Sequence, residues 1–355
     1  MTYVATIVDQ MSGIEKHRKS FLKALVAAFC TFVGKATAAN LARFGICEKR
    51  IRRWFQKPFD WQSLHIAALK HAGVLENKLL ACINATFISK AGKHTAYTLA
   101  CEHTRVDAED TRTKPLLYLD FLSKYTPLLE QQGITHLVAD GYFTKKTFLP
   151  SALTLGSSVI GKLRKDASIF KFYQGKKGRG RPKKYDIKLD FQNPRRGMKY
   201  RRCRAEGFDL YWQDARSKHL GVDMRVVVVR QWGKQKNLGG PLPRRARHRE
   251  DVQAAVSAGV YLPRWKGLGD CQMRKRVARN EHLEASLCAL NLQRLEDREL
   301  WDGKDARVIS MGKWKRLNST QYAVERFLVD SACDPSDSKF KHAFDNLRNS
   351  LLHAA

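Results

Sequence analysis

The sequence predicts an α/β protein, with a sheet flanked by helices, behind a small helical domain at the N-terminus. Two observations carry this prediction. Residues 79–163 alternate short apolar runs with longer helical patterns, in the order strand, helix, strand, helix, strand. Residues 17–60 instead place apolar side chains at the spacing of an α-helix. The fold class therefore follows from periodicity alone.

The N-terminal segment predicts three short helices. The first buries one face through apolar residues at helical spacing, which are Leu22, Leu25, Phe29 and Phe32. A second helix fits residues 36–44, and Gly45 is a natural stop. A third helix covers residues 47–57 and ends before Pro58.

The third of these helices has the character of a DNA-recognition helix. A helix, a glycine turn and a cationic helix follow one another in the order of a helix-turn-helix, which places its second helix in the major groove. Ile51, Trp54 and Phe55 can face inward, which leaves a cationic outer face as the candidate DNA contacts: Lys49, Arg50, Arg52 and Arg53. An ordinary basic surface helix fits the same residues, so both interpretations stay open.

The central segment predicts the sheet. Apolar runs at residues 79–88, 95–101, 134–139 and 157–163 predict strands, and helices fit residues 115–132 and 145–155. Asp140 directly follows the third of these strands, where α/β folds place catalytic carboxylates. A turn or helix N-cap role suits an aspartate at this position equally well.

Composition limits the class of partner. The formal net charge is +31 and the pI is about 10.0, which favours a polyanionic partner, nucleic acid first and an anionic membrane surface second. No apolar run approaches about 18 residues, which excludes a membrane-spanning helix. The 8 cysteines are scattered without metal-binding spacing, so we expect reduced thiols, a cytoplasmic location and no soft-metal site.

Residues 162–204 form a basic segment in which Asp166, Asp186 and Asp190 are the only acids. Within it, residues 179–182 read RGRP, the pattern of an AT-hook, whose arginines enter a narrow minor groove. Its candidate DNA contacts are Arg179, Arg181, Lys183 and Lys184. A solvated basic loop is the alternative, and under both interpretations we expect the segment to lie outside the core.

Farther along the chain, residues 222–230 predict a strong strand and residues 281–296 an amphipathic helix. Residues 234–249 are rich in Gly, Pro and Arg and predict neither strand nor helix. The resulting domain boundaries are 1–75 for the helical domain, 76–300 for the core with a basic insertion at 164–221 and a disrupted segment at 234–266, and 301–355 for a partly helical tail.

Several of these stretches resemble one family in order along the chain. Residues 136–148, HLVADGYFTKKTF, resemble the second-acid motif of DDE transposases of bacterial insertion sequences, and residues 83–93 resemble their first-acid strand. Residues 178–185, 267–272 and 285–292 resemble other stretches of the same family.

The resemblance implies an RNase H-like core, in which three carboxylates hold two Mg²⁺ ions that activate the attacking oxygen and stabilise the leaving oxygen. Asp140 takes the second acid position and would bind metal, and Lys145 and Lys146 of the same motif are candidate DNA contacts. Transposon ends and target DNA are the implied partners, with a possible homo-oligomer, no membrane, no small-molecule cofactor and a place at the bacterial nucleoid.

The chain departs from the family pattern at both other acids. Asn84 stands at the first acid position, and residues 252–266 contain no acid where the last one is expected, with Glu250 the nearest upstream candidate besides Asp251. The comparison with the family pattern also implies that a central strand is missing after residue 92. We therefore expect a transposase by descent that is catalytically inactive, in which residues 236–264 read as an out-of-frame stretch. The alternatives are a non-enzymatic DNA-binding protein derived from a transposase, and a basic RNA-binding or structural protein.

Overall fold

The computed structural model describes residues 2–76, 79–83, 97–102, 112–164, 166–175, 183–204, 207–232, 237–242, 273, 275–300, 311–331, 334 and 337–353. The chain divides into two compact units. The helical unit comprises residues 1–77, 90–103 and 262–355, and the sheet unit comprises residues 78–89 and 104–261. The domain boundaries inferred from sequence stay predictions, although the helix near residue 285 packs in the helical unit.

Among the residues that the structure describes, the helical unit contains five helices before the sheet unit and three after it. The first five are α1 (Thr2–Gln10), α2 (Lys16–Thr31), α3 (Ala38–Ala42), α4 (Glu48–Trp54) and α5 (Trp61–His71). The later three are α8 (Arg276–Leu300), α9 (Met311–Asp330) and α10 (Ser338–His353). The side chains of Thr37 and Asp60 cap α3 and α5 by accepting backbone N–H groups. The three helices predicted over residues 17–60 are confirmed as α2, α3 and α4.

Helix α8 forms the centre of the helical unit. Every residue from 281 to 293 is buried, so the helix is enclosed on all sides rather than along one stripe. Helices α2 and α5 pack against it. The predicted amphipathic helix over residues 281–296 is present, but the sequence pattern understated how completely it is enclosed.

Enclosure obliges the polar side chains of α8 to find partners inside the unit. Asn291 Nδ2 lies 3.0 Å from His65 Nδ1, and His65 Nε2 lies 3.3 Å from Glu284 Oε2. Because an amide Nδ2 donates, Nδ1 of His65 accepts and Nε2 carries the proton that faces Glu284. Glu284 Oε1 also accepts the backbone N–H of Cys101 at 2.7 Å. One connected hydrogen-bond chain thus joins α5, α8 and residues 97–102.

The predicted strand at residues 95–101 is wrong over its described part. Residues 97–101 have no strand structure, because their backbone bonds to side chains of α8 instead of to a neighbouring strand. Thr98 donates its N–H to Asn291 Oδ1 at 2.9 Å, and its carbonyl accepts from Asn291 Nδ2 at 2.6 Å. The alternating sequence pattern could not reveal a partner about 190 positions away.

The sheet unit begins with a parallel three-stranded sheet in the order β1-β2-β3. Its elements are β1 (Ala81–Ile83), α6 (Lys114–Gln131), β2 (His136–Ala139), α7 (Leu149–Thr154) and β3 (Ser158–Gly161). In register, Ile83 pairs with Ala139, and Ala139 pairs with Gly161. The three strands therefore end at one edge, and the predicted mixed α/β class is confirmed.

An antiparallel sheet follows in the same unit, in the order β5-β4-β7-β8-β9, with β6 also paired to β7. Its strands are β4 (Ile169–Phe172), β5 (Tyr185–Lys188), β6 (Lys199–Cys203), β7 (Phe208–Ser217), β8 (Asp223–Gln231) and β9 (Asn237–Leu242). The strand predicted at residues 222–230 is confirmed as β8.

Two expectations about this region are wrong. Residues 237–242 form β9, because pairing with β8 overrides the weak strand propensity of their Gly-Gly-Pro sequence. The basic segment also contributes to the core, because Ile169, Leu189 and Met198 are buried between its charged residues. The high average charge of the basic segment gives no indication of such isolated inward-facing side chains.

Replacing Glu284 with alanine should destabilise the helical unit strongly. The change leaves the proton on His65 Nε2 and the N–H of Cys101 buried without a partner, at a cost of roughly 3–5 kcal/mol. Urea unfolding followed by circular dichroism measures this difference. Glu325→Ala, at an exposed position on α9, is the matched control and should change the free energy of unfolding by less than about 0.5 kcal/mol. Similar values for both variants would contradict a central role for Glu284.

Candidate nucleic-acid interface

Helix α4 presents a cationic face that is fixed from behind by apolar side chains. Ile51 and Phe55 are 0% and 1% exposed, respectively, whereas Lys49, Arg52 and Arg53 are exposed. The preceding turn contains Gly45 at φ +81°, a left-handed conformation that suits glycine. The described geometry therefore has the order helix, glycine turn, cationic helix that the sequence predicts.

Arg50 differs from the other cations of α4, because it packs back against α2. Its Nη2 donates to the carbonyl of His17 at 2.8 Å, and its guanidinium lies 5.7 Å from the ring centroid of Phe21. The side chain is half-buried rather than directed outward. Arg50 is thus placed to orient α4, and its predicted contact with DNA stays untested.

The remaining cations of α4 fall into two groups. Arg52 bonds to Glu48 one turn earlier, with 2.8 Å between Nε and Oε1. Within the described part of the chain, the side chains of Lys49 and Arg53 make no hydrogen bond or ion pair. These two side chains keep their full charge for an external anion, whereas Arg52 shares its charge with Glu48.

A cation–aromatic clasp holds the C-terminal end of α4. The guanidinium of Arg18 lies 5.0 Å from the ring of Trp54 and 5.1 Å from that of Phe59. Its Nη2 donates to the carbonyl of Pro58 at 2.6 Å, so one side chain joins α2 to the chain that leaves α4. The contacts of Arg18 fix the C-terminal end of α4 and the orientation of the helix.

Glu281 of α8 completes the clasp from the other side. It accepts the indole N–H of Trp61 at 2.8 Å and the backbone N–H of Phe59 at 3.2 Å. Burial raises the pKa of Glu281 to about 7, while these hydrogen bonds and the charge of Arg18 act in the opposite direction. Sequence reasoning missed both Arg18 and Glu281, because their partners lie about 40 and 220 positions away.

Asp140 lies at the carboxyl edge of the parallel sheet, directly after the central strand β2. Its Oδ1 accepts the backbone N–H of Tyr142 at 2.8 Å, which makes the residue the start of a tight turn. Thr144 holds this turn against β3 by donating to the carbonyls of Gly141 and Lys162. The turn interpretation fits this geometry, and the catalytic role of Asp140 stays a prediction.

The described residues at this edge do not fit a two-magnesium site. Two cations lie in the segments that follow β2 and β3. Lys145 has its Nζ 3.8 Å from the ring centroid of Tyr142, and Lys162 directly follows β3. Among the residues described, no group of three or more His, Cys, Asp or Glu side chains could hold a metal ion. Two dications need several anionic oxygen ligands, and Asp140 supplies one carboxylate.

The other predicted site residues are distributed as follows. Lys146 is exposed in the same turn as Lys145. Lys183 lies with its Nζ 4.9 Å from the ring centroid of Tyr173, and Lys184 is exposed. Three predicted positions and the upstream acid candidate lie outside the described residues: Asn84, Arg179, Arg181 and Glu250.

The chain was compared with models of protein families and with curated proteins. No model of a protein family matches the chain, and the search of curated proteins finds no similar sequence. In the described residues, no helix has both the length and the apolar character needed to cross a bilayer. The case for a function therefore depends on the residues and their geometry.

The stability of the protein should depend on pH through Glu281. Its pKa rises from 4.5 in the unfolded chain to about 7 in the folded one, so the folded state binds the proton more tightly. Proton binding by Glu281 therefore stabilises the folded state fully below pH 4.5. This stabilisation, roughly 3 kcal/mol, is lost as the pH rises toward 7. Urea unfolding between pH 4.5 and 7.5, in wild type and Glu281→Gln, isolates this effect as the difference between the two profiles. Parallel profiles would show that Glu281 titrates normally.

Proposed function

We propose that the protein binds duplex DNA through α4 and descends from a DDE transposase with an RNase H-like core. One observation carries the DNA-binding proposal. Lys49 and Arg53 are exposed, unpaired within the described chain, and carried on a helix anchored by buried Ile51 and Phe55. Cations on an anchored helix meet phosphates without first losing much conformational freedom.

The arrangement around α4 supports a helix-turn-helix. Helix α3 ends at Ala42 and α4 begins at Glu48, so a short turn separates the two helices. Their contacts are close, and α4 is the second and more cationic of the pair. A recognition helix of this type presents its side chains to base edges and phosphates in the major groove.

The sheet unit supports the proposed descent. Asp140 ends the central strand of a parallel sheet, and β1 ends at Ile83, which is paired in register with Ala139. The next residue in the sequence is Asn84, at the first acid position of the proposed family. The family's chemistry would bring two carboxylates together at these strand ends, and here the sequence provides one.

The proposed present function is therefore binding without cleavage. An amide at position 84 keeps the shape of a carboxylate but removes the negative charge that a pair of Mg²⁺ ions requires. Lys145 and Lys162 instead make the described edge attractive to phosphate. We assign this edge to contact with the DNA backbone.

Replacing Lys49 and Arg53 together with alanine should weaken duplex binding. Each lost phosphate contact lowers the salt slope of log K by about 0.9, so the pair lowers it by about 2, with affinity falling roughly 10- to 100-fold. Fluorescence anisotropy on a 20-bp duplex at several salt concentrations measures both quantities. Lys339→Ala with Lys341→Ala removes two exposed lysines of α10 and serves as the charge-matched control. Equal losses of affinity in both double variants would show that only the net charge of the protein matters. No loss in either variant would indicate that residues 162–204 bind the duplex instead.

Restoring one acid should not restore cleavage. In Asn84→Asp, two carboxylates would face two metal ions, and the last acid of the family pattern would still be missing. We therefore expect no nicking of a supercoiled plasmid with Mg²⁺ or Mn²⁺, by wild type or by the variant. Site-specific 3′-hydroxyl ends that disappear when Asp140→Ala is added would contradict this expectation and would point to an undetected third acid.

A further inference from the structure

The sheet unit has a second cationic surface, distant in sequence from α4 and from Asp140. We call it the β6 surface and define it by four exposed residues: Arg195, Tyr200, Arg202 and Trp232. Residues 194–204 contain six cations and no acid. Asp209 on the adjacent strand is the acid nearest in register, and one of its carboxylate oxygens accepts the hydroxyl of Tyr200 at 3.0 Å. The surface keeps a strong positive excess.

Protection of a sheet edge explains only part of this surface. Strand β6 pairs with β7 and has no second neighbour among the described strands. Charged side chains on such a strand prevent it from pairing with other chains. Edge protection would be satisfied by lysine and arginine alone, and it gives no reason for a large aromatic ring in the same place.

Trp232 is the residue that edge protection leaves unexplained. Its side chain is 42% exposed, although its backbone is fixed by an N–H bond to the carbonyl of Gly207 at 2.9 Å. The guanidinium of Arg202 lies 4.5 Å from the indole centroid. The indole is therefore held in place by a cation and remains partly open to solvent.

Tyr200 supports this arrangement from the same face of the sheet. The guanidinium of Arg195 lies 5.2 Å from its centroid, and the ring of Tyr211 lies 5.1 Å away. The ring of Tyr200 and the guanidinium of Arg202, which contacts Trp232, lie next to each other, since residues 200 and 202 share one face of the strand. Cations and rings thus alternate across one face of the sheet.

We propose that the β6 surface binds single-stranded nucleic acid, with an unpaired base stacked on Trp232 and the backbone phosphates held by Arg195 and Arg202. A flat ring set among cations is the combination that single strands require, because every base has a face that stacks and every linkage carries a charge. The bases of a duplex are already stacked on each other and cannot reach the indole. An acidic peptide would use the cations but would gain nothing specific from the ring.

The proposal extends nucleic-acid binding to a second site and does not depend on α4. The test uses the full chain, labelled oligo-dT of 20 nucleotides, an abasic strand of the same length and a 20-bp duplex, followed by anisotropy. Trp232→Ala should weaken oligo-dT binding roughly 5- to 100-fold, since stacking contributes about 1–3 kcal/mol per base. Trp232→Phe keeps a stacking ring and should retain most of the affinity.

The control variant is Phe327→Ala, which removes an exposed aromatic ring from α9 in the helical unit. It should leave all three affinities within about twofold of wild type. The abasic strand and the duplex should be insensitive to Trp232→Ala, because neither offers a free base to the indole. Equal losses on oligo-dT and the abasic strand, or no loss on oligo-dT, would overturn the proposal.

The two proposals fail separately. Loss of duplex binding in the Lys49 and Arg53 double variant, with oligo-dT binding unchanged, would support duplex binding through α4. It would also show that single-strand binding does not need these two cations. Competition by poly-glutamate that is as strong as competition by oligo-dT at equal charge would indicate an acidic protein partner and would overturn the single-strand assignment.

Discussion

A carboxylate removed from water must receive hydrogen bonds from its surroundings, and in the helical unit this requirement organises the fold. Glu284 lies within an enclosed helix and is satisfied by His65 and by the backbone of Cys101. Asn291 continues the chain of bonds to His65 and Thr98. Neither α5 nor residues 97–102 could shift by a turn without leaving a buried polar group unpaired. The register of the unit is set by polar groups, while its apolar core supplies most of the free energy.

This polar chain also bears on the history of the sequence. The residues of α8 come after the stretch that lacks the expected acid, yet Glu281, Glu284 and Asn291 find partners at residues 59–101. These contacts across about 200 positions show that the two regions pack as parts of one unit. The hypothesis of an out-of-frame stretch at about residues 236–264 leaves the sequence of both regions unchanged.

Local patterns predicted most of the secondary structure, and long-range contacts account for what they missed. Helices α2, α4 and α6 and strands β2 and β8 carry strong periodicity, so the sequence placed them well. Residues 97–101 and 237–242 have ambiguous patterns, and their state is decided by α8 and β8, respectively. At the candidate interface, the cations of α4 could be predicted from their outward positions. The inward packing of Arg50 and the roles of Arg18 and Glu281 could not, because each depends on a partner in another element.

The clasp around Arg18 and Glu281 has a consequence for the order in which the protein matures. The indole N–H of Trp61 and the Glu281 carboxylate that accepts its hydrogen bond are 220 positions apart. At about 5–20 residues per second, the ribosome needs on the order of 10–40 s to make the intervening chain. Throughout that interval Phe59 and Trp61 lack their contacts with Glu281, whereas Arg18, Trp54 and Pro58 have already been made. The segment that follows α4 therefore gains its hydrogen bonds to Glu281 only when α8 has been made.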